Sequence, residues 1–161
     1  MGLIPLGFLA SLAAGVATGV GAIPVLFTSS APQRLLDAML GFAAGVMLAA
    51  TAFSLLVPAI ELSSVWIALL CLMAGAIFLA LMDRLIPHLH LVSGLEGLPS
   101  NLSRVWLLVF AIAIHNFPEG LSVGIGFGTG NTGTGLALAI AIGLQNMPEG
   151  LAVALPLARE G

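Results

Sequence analysis

Lysine and tyrosine are absent from this 161-residue chain, and cysteine occurs once. Charged residues make up only 7% of the sequence, against about 25% in an ordinary soluble domain. Too few polar side chains are present to coat a water-soluble core, which excludes a soluble globular fold. The four arginines are scattered and the net charge is −3. A nucleic-acid-binding surface is thereby excluded, because such binding rests on neutralising phosphates. The lone Cys71 lies in an apolar run, has no intrachain disulfide partner, and reads as a small buried hydrophobe. The start, Met1-Gly2-Leu3-Ile4-Pro5, lacks a basic segment, so the first apolar run is read as a retained helix rather than a cleaved signal peptide. A His-Glu-x-x-His pair is missing and no other polar cluster offers a nucleophile, so an intramembrane hydrolase is disfavoured and no enzymatic activity is expected.

What the chain does have is apolar length: 60% of it is hydrophobic. Five runs stand out, at about 4–27, 38–60, 64–86, 104–127 and 134–157. Each can cross a hydrocarbon core of roughly 30 Å at about 1.5 Å per helical residue. Helices are required because an open-ended span must satisfy its own backbone groups. The expected fold is all-α, a single polytopic membrane domain over residues 1–161 with five transmembrane helices. Pro24 is expected to bend the end of the first span, and Ser29 to Arg34 forms a polar turn. The second span is expected to close at Pro58, and the third to end at Asp83-Arg84. Residues 87–103 are the longest loop. The Gly-, Thr- and Asn-built link from Gly128 to Gly135 predicts an antiparallel hairpin of the last two spans. The pairs Gly15/Gly19, Gly41/Gly45 and Gly120/Gly124 are candidates for close helix approach. With the N-terminus outside, Arg34, Arg84, Arg104 and Arg159 all fall on the inner side, and the outer links carry no basic residue. The expected location is the inner (plasma) membrane, with loop 87–103 cytoplasmic.

The last two spans share a repeat. His115-Asn116-Phe117-Pro118-Glu119-Gly120 is echoed 30 positions later by Gln145-Asn146-Met147-Pro148-Glu149-Gly150. A charged group at the bilayer centre costs roughly 3 kcal/mol or more, so two intramembrane glutamates call for a function. His115 and Glu119 are at i and i+4, and Asn116 and Glu119 at i and i+3, so Glu119 can serve two adjoining positions on one helix face. Gln145, Asn146 and Glu149 repeat that arrangement. Pro118 and Pro148 each remove an N–H and displace the carbonyl four residues earlier, Ile114 or Leu144. Imidazole, carboxylates and amide oxygens without a thiolate suit borderline divalent ions such as zinc, iron or manganese. Ligands must shed protons to bind a metal, so affinity is expected to depend on pH. The bland alternatives are a hydrogen-bonded intramembrane histidine and asparagines acting as interhelical glue. Two matching copies on neighbouring spans favour a shared ion site.

These paired blocks, together with Gly41-Phe42-Ala43-Ala44-Gly45-Val46-Met47-Leu48 in the second span, resemble the ZIP family of divalent metal transporters in its GufA-like bacterial branch. The resemblance implies a two-metal site in a transport path, with uptake into the cytoplasm. By position, His115, Glu119, Gln145 and Glu149 match one metal site; Asn116, Glu119, Asn146 and Glu149 match the second, with glutamate bridging. The neutral amides of Gln145 and Asn146 depart from the Asp or His that the family often carries there. The implied cargo is Zn2+, with Fe2+, Mn2+ or Cd2+ as further cations, and the implied partners are the metal ion and the lipid bilayer; a homodimer is left open. The resemblance also implies an elevator-like movement carrying the fourth and fifth helices. The family has eight membrane helices and its sixth supplies a further ligand, so a five-span chain is expected to be a truncated or partial product. The alternative function is a non-transporting metal-binding fragment or sensor. The family's loop between the third and fourth spans is often His-rich and linked to metal release, which makes Asp83, His88 and His90 candidates for an accessory metal site; exposed loop polarity is the competing reading. Glu61, Glu96 and Glu160 are expected to be solvated end residues, and Asp37 a charge at a helix start. Met47, Met73 and Met82 read as core packing, and six methionines in so apolar a chain do not make a copper path.

Overall fold

A computed structural model describes residues 2–28, 30–90, 94–99 and 103–160. Helix α1 (Leu3–Ala22) passes into a 3-10 turn, Ile23–Leu26, at Pro24. Helix α2 (Gln33–Ala49) is continued by a π-helical stretch, Ala50–Leu56, and by α3 (Val57–Leu62). Helix α4 spans Val65–Leu85, α5 Arg104–Gly128 and α6 Thr132–Glu160. Between α4 and α5 lies a two-stranded antiparallel hairpin, β1 (His88–His90) with β2 (Gly94–Glu96). Five segments are long and apolar enough to cross a membrane: Leu3–Leu26, Gln33–Leu62, Val65–Leu85, Trp106–Gly128 and Thr132–Leu155. The fold is an all-α polytopic membrane architecture, with the small hairpin as its one addition among the described residues.

Three details depart from expectation. The second span begins at Gln33 inside the expected polar turn, with Pro32 at the N-cap, where its missing N–H costs nothing. It also does not stop at Pro58. The backbone widens into a π turn just before the proline, and Val57 N–H bonds back to the Ala52 carbonyl. A wider turn relieves the clash between a proline ring and the carbonyl four residues earlier, so the helix runs on to Leu62. Cys71, expected to be buried, is exposed on α4.

The chain forms two compact units: Met1–Val57 with Glu119–Gly161, and Pro58–Pro118. In the first, α6 packs along α1 and, less extensively, α2. Its core gathers Ala14, Val123, Phe127, Leu138 and Ile142. In lipid such packing is held by dispersion and close fit, since the hydrocarbon is as apolar as the side chains. The turn from α5 to α6 is short. Gly130 takes a left-handed φ of +83°, and the Asn131 side-chain oxygen accepts from the N–H groups of Gly133 (3.0 Å) and Thr134 (3.2 Å), capping α6. A Cβ at Gly135 would lie 2.6 Å from the Phe127 ring, so the absence of a side chain there is what lets α5 and α6 close into a hairpin.

In the second unit, the Ser64 hydroxyl caps α4 by accepting from the Ile67 N–H at 3.3 Å. A cavity of about 320 Å³ is lined by Phe78, Leu79, Met82, Ile86, Phe110, Ala113, Ile114 and Phe117. A wholly apolar wall offers no group to replace the hydration shell of a cation, so this space is no ion path.

Candidate metal centre

The repeated blocks occupy α5 and α6, which antiparallel pairing brings alongside each other. Gln145 Nε2 donates to Glu119 Oε1 at 2.8 Å, joining the carboxylate of one block to the amide of the other. Gln145 and Asn146 are each only 1% exposed. Asn146 Nδ2 donates to the carbonyl of Ala14 on α1 at 3.0 Å. Both amides thus have their nitrogen ends engaged. Their carbonyl ends, Gln145 Oε1 and Asn146 Oδ1, are buried without a hydrogen-bond partner, and Glu119 Oε2 is buried as well. Leaving a buried acceptor unsatisfied costs about 1–3 kcal/mol. A cation satisfies such oxygens, and a carboxylate supplies its counter-charge. Successive residues of a helix point about 100° apart, so the two amide oxygens serve adjoining positions rather than one. Glu149 is half-buried one turn beyond Gln145 and lies on the face between them.

Helix α1 supplies a third wall that the sequence reading missed. Its contact face is Gly7, Ser11, Ala14, Thr18 and Gly21, spaced alternately by four and three residues. Every member is small, so α1 can touch the motif backbone. The Cβ position of Gly21 falls on the Met147 carbonyl, and that of Gly150 on the Thr18 carbonyl. Ser11 Oγ donates to the Gly120 carbonyl at 2.9 Å. The signal was present as a heptad-like run of small residues; of the three pairs singled out instead, Gly15/Gly19 and Gly41/Gly45 have open space where a Cβ would stand, and only Gly120/Gly124 lies against α1, through Ser11.

His115 and Asn116 are on the part of α5 that belongs to the second unit, whereas Glu119, Gln145, Asn146 and Glu149 are in the first. His115 is exposed, and its Nδ1 donates to the Ala111 carbonyl at 2.9 Å. A carbonyl only accepts, so the proton is on Nδ1 and Nε2 keeps the lone pair that a metal takes. Of the accessory candidates, Asp83 and His88 are brought together, with Nε2 3.2 Å from Oδ1. The side chain of His90 lies outside the described residues. Glu96, expected to be solvated, is instead half-buried and 3.7 Å from His88 Nε2.

Two antiparallel apolar spans joined by a buried hydrogen bond from the Gln145 amide to the Glu119 carboxylate define a polytopic helical membrane protein. Residues 92–161 match the family model described as ZIP Zinc transporter. The zinc transporter GufA of Myxococcus xanthus is 39% identical over 131 residues, which cover 75% of this chain and 52% of the relative. The zinc transporter ZIPB of Bordetella bronchiseptica is 40% identical over 127 residues, covering 69% of this chain and 39% of the relative. The zinc transporter ZupT of Streptococcus mutans is 34% identical over 133 residues, covering 73% and 50%. The chain belongs to the ZIP family, a family of transporters. It spans about half the length, or less, of these relatives.

Proposed function

We propose that this chain serves the transmembrane movement of a divalent cation, zinc foremost, through a site on α5 and α6, with uptake into the cytoplasm. The observation that carries the reading is the buried, partnerless amide oxygens of Gln145, whose nitrogen binds the Glu119 carboxylate, and of its chain neighbour Asn146. Glu119 and Glu149 supply the charge that holds the ion; His115 and Gln145 complete one position, and Asn116 and Asn146 the adjoining one. Zinc is favoured by a nitrogen-and-oxygen donor set without thiolate, and by the names of the relatives. Fe2+, Mn2+ and Cd2+ fit the same donors less selectively. The one-sided placement of Arg34, Arg84, Arg104 and Arg159 supports an external N-terminus and a cytoplasmic hairpin.

The test is radioactive zinc uptake into cells expressing the chain, with Glu119→Ala and Glu149→Ala compared at equal expression. Uptake above the empty-cell background that falls to background in each variant is expected. Uptake unchanged in both variants would remove this site assignment.

A further inference from the structure

Serine and threonine in helices commonly return their hydroxyl to a carbonyl three or four residues earlier. Ser63 Oγ does so at the Ala59 carbonyl (2.6 Å) and Thr129 Oγ1 at the Gly126 carbonyl (2.8 Å). Ser11 does not. Its Oγ leaves α1 and donates to the Gly120 carbonyl on α5 at 2.9 Å, across 109 residues of chain. Gly124 faces the same hydroxyl, its Cβ position 3.9 Å away, so no side chain holds α5 off α1 at this point.

Gly120 directly follows Glu119, so the bond ties α1 to the stretch of backbone that carries the carboxylate. That stretch is weak on its own. Pro118 lies inside α5 and has no N–H to give the Ile114 carbonyl, which interrupts the helical ladder just before Glu119. One turn along α1, on the same face, the Ala14 carbonyl accepts from Asn146 Nδ2 at 3.0 Å. Helix α1 therefore grips both repeated blocks, one beside its glutamate and the other at its asparagine. All of these contacts lie within one compact unit. The spacing of Glu119 from Gln145 and Asn146 is set by this third helix in addition to the Gln145–Glu119 bond.

We infer, on the reading of α5 and α6 as a cation site, that Ser11 is a positioning residue which fixes the size of ion that site prefers. Through the Gly120 carbonyl it holds Glu119 at the spacing a zinc-sized cation requires. Between ions of like charge, the size and rigidity of the cage are what discriminate. Cadmium has the same charge and is larger, so a cage released from α1 loses zinc more than it loses cadmium.

The experiment is equilibrium dialysis of the full chain in detergent against Zn2+ and Cd2+, singly and in competition, followed by metal analysis. Ser11→Ala is expected to weaken zinc about tenfold, the scale on which outer partners of metal ligands act. Cadmium should weaken less, so the zinc-to-cadmium ratio falls. Gly7→Ala lies on the same face of α1, where its new Cβ would stand 3.2 Å from Phe127 Cβ. It disturbs the packing of α1 and leaves the Ser11 bond alone, so the ratio should hold. An unchanged ratio in Ser11→Ala, with or without weaker zinc, overturns the role of Ser11, as does a ratio that falls equally in Gly7→Ala. Glu119→Ala tests the site itself. Zinc affinity untouched by that change removes the site and the role of Ser11 together, whereas zinc lost there with the Ser11→Ala ratio unchanged removes the role of Ser11 alone.

Discussion

Asn146 shows how one side chain can join two helices and still offer a ligand. Its nitrogen end holds the Ala14 carbonyl and its oxygen end is left buried. Asn146→Leu removes both functions. It should destabilise the protein by about 0.5–1.5 kcal/mol, because the bond from α6 to the Ala14 carbonyl is lost, and should also weaken zinc binding. Thermal unfolding and zinc titration in detergent measure the two effects separately. Lowered stability with unchanged zinc affinity would reduce Asn146 to a strut. Glu119 and Gln145 were legible as partners because the repeat and the short Gly-rich link dictate an antiparallel pairing. Glu96 was not. Its tie to His88 is a product of strand register, and a lone charge in a loop gives no sign of that. The second end of Asn146 was equally hidden, since a backbone carbonyl on α1 leaves no mark in residue type.

Among the elements, α1 sits against α6 by virtue of side chains that are absent. Gly21→Ala and Gly150→Ala each place a methyl group on an opposing backbone carbonyl, and neither helix can retreat without losing the Asn146–Ala14 bond. Overpacking of this kind costs about 1–3 kcal/mol, and the rigid backbone partner puts these two sites at the upper end. Gly15→Ala and Gly41→Ala have open space and gain helix propensity of up to about 1 kcal/mol, so they should be neutral or stabilising. Unfolding midpoints of the four variants in one detergent check the contrast, and equal losses at all four would contradict it. The spans themselves were readable to within a few residues from apolar length alone. The path through Pro58 was not, because the expected break assumed an α-helical turn and the chain adopts a wider one. Small residues marked close approach correctly as a class; which of them touch depends on the crossing of α1 and α6, and that is set by tertiary packing.

At the scale of the whole molecule, the composition excluded solubility and the charge asymmetry suggested an orientation, yet neither indicates that the chain divides into two compact units at Pro58 and Pro118. That division arises from which helices contact which, and the boundary falls inside two apolar spans with no change of composition. Zinc binding by the intact chain should weaken as the medium is taken from about pH 7.5 to about pH 5.5, because protons compete for the same carboxylate and imidazole lone pairs. The direction follows from ligands that bind metal only when deprotonated, and calorimetric titration at the two pH values checks it. A constant affinity would point to the amide oxygens alone. The most direct measurement is anomalous diffraction at the zinc edge from crystals of the chain soaked in zinc. The account predicts a peak at coordination distance, about 2.0–2.2 Å, from a Glu119 carboxylate oxygen and next to the amide oxygens of Gln145 or Asn146. Zinc bound by the crystal, with no peak among those side chains, would contradict it.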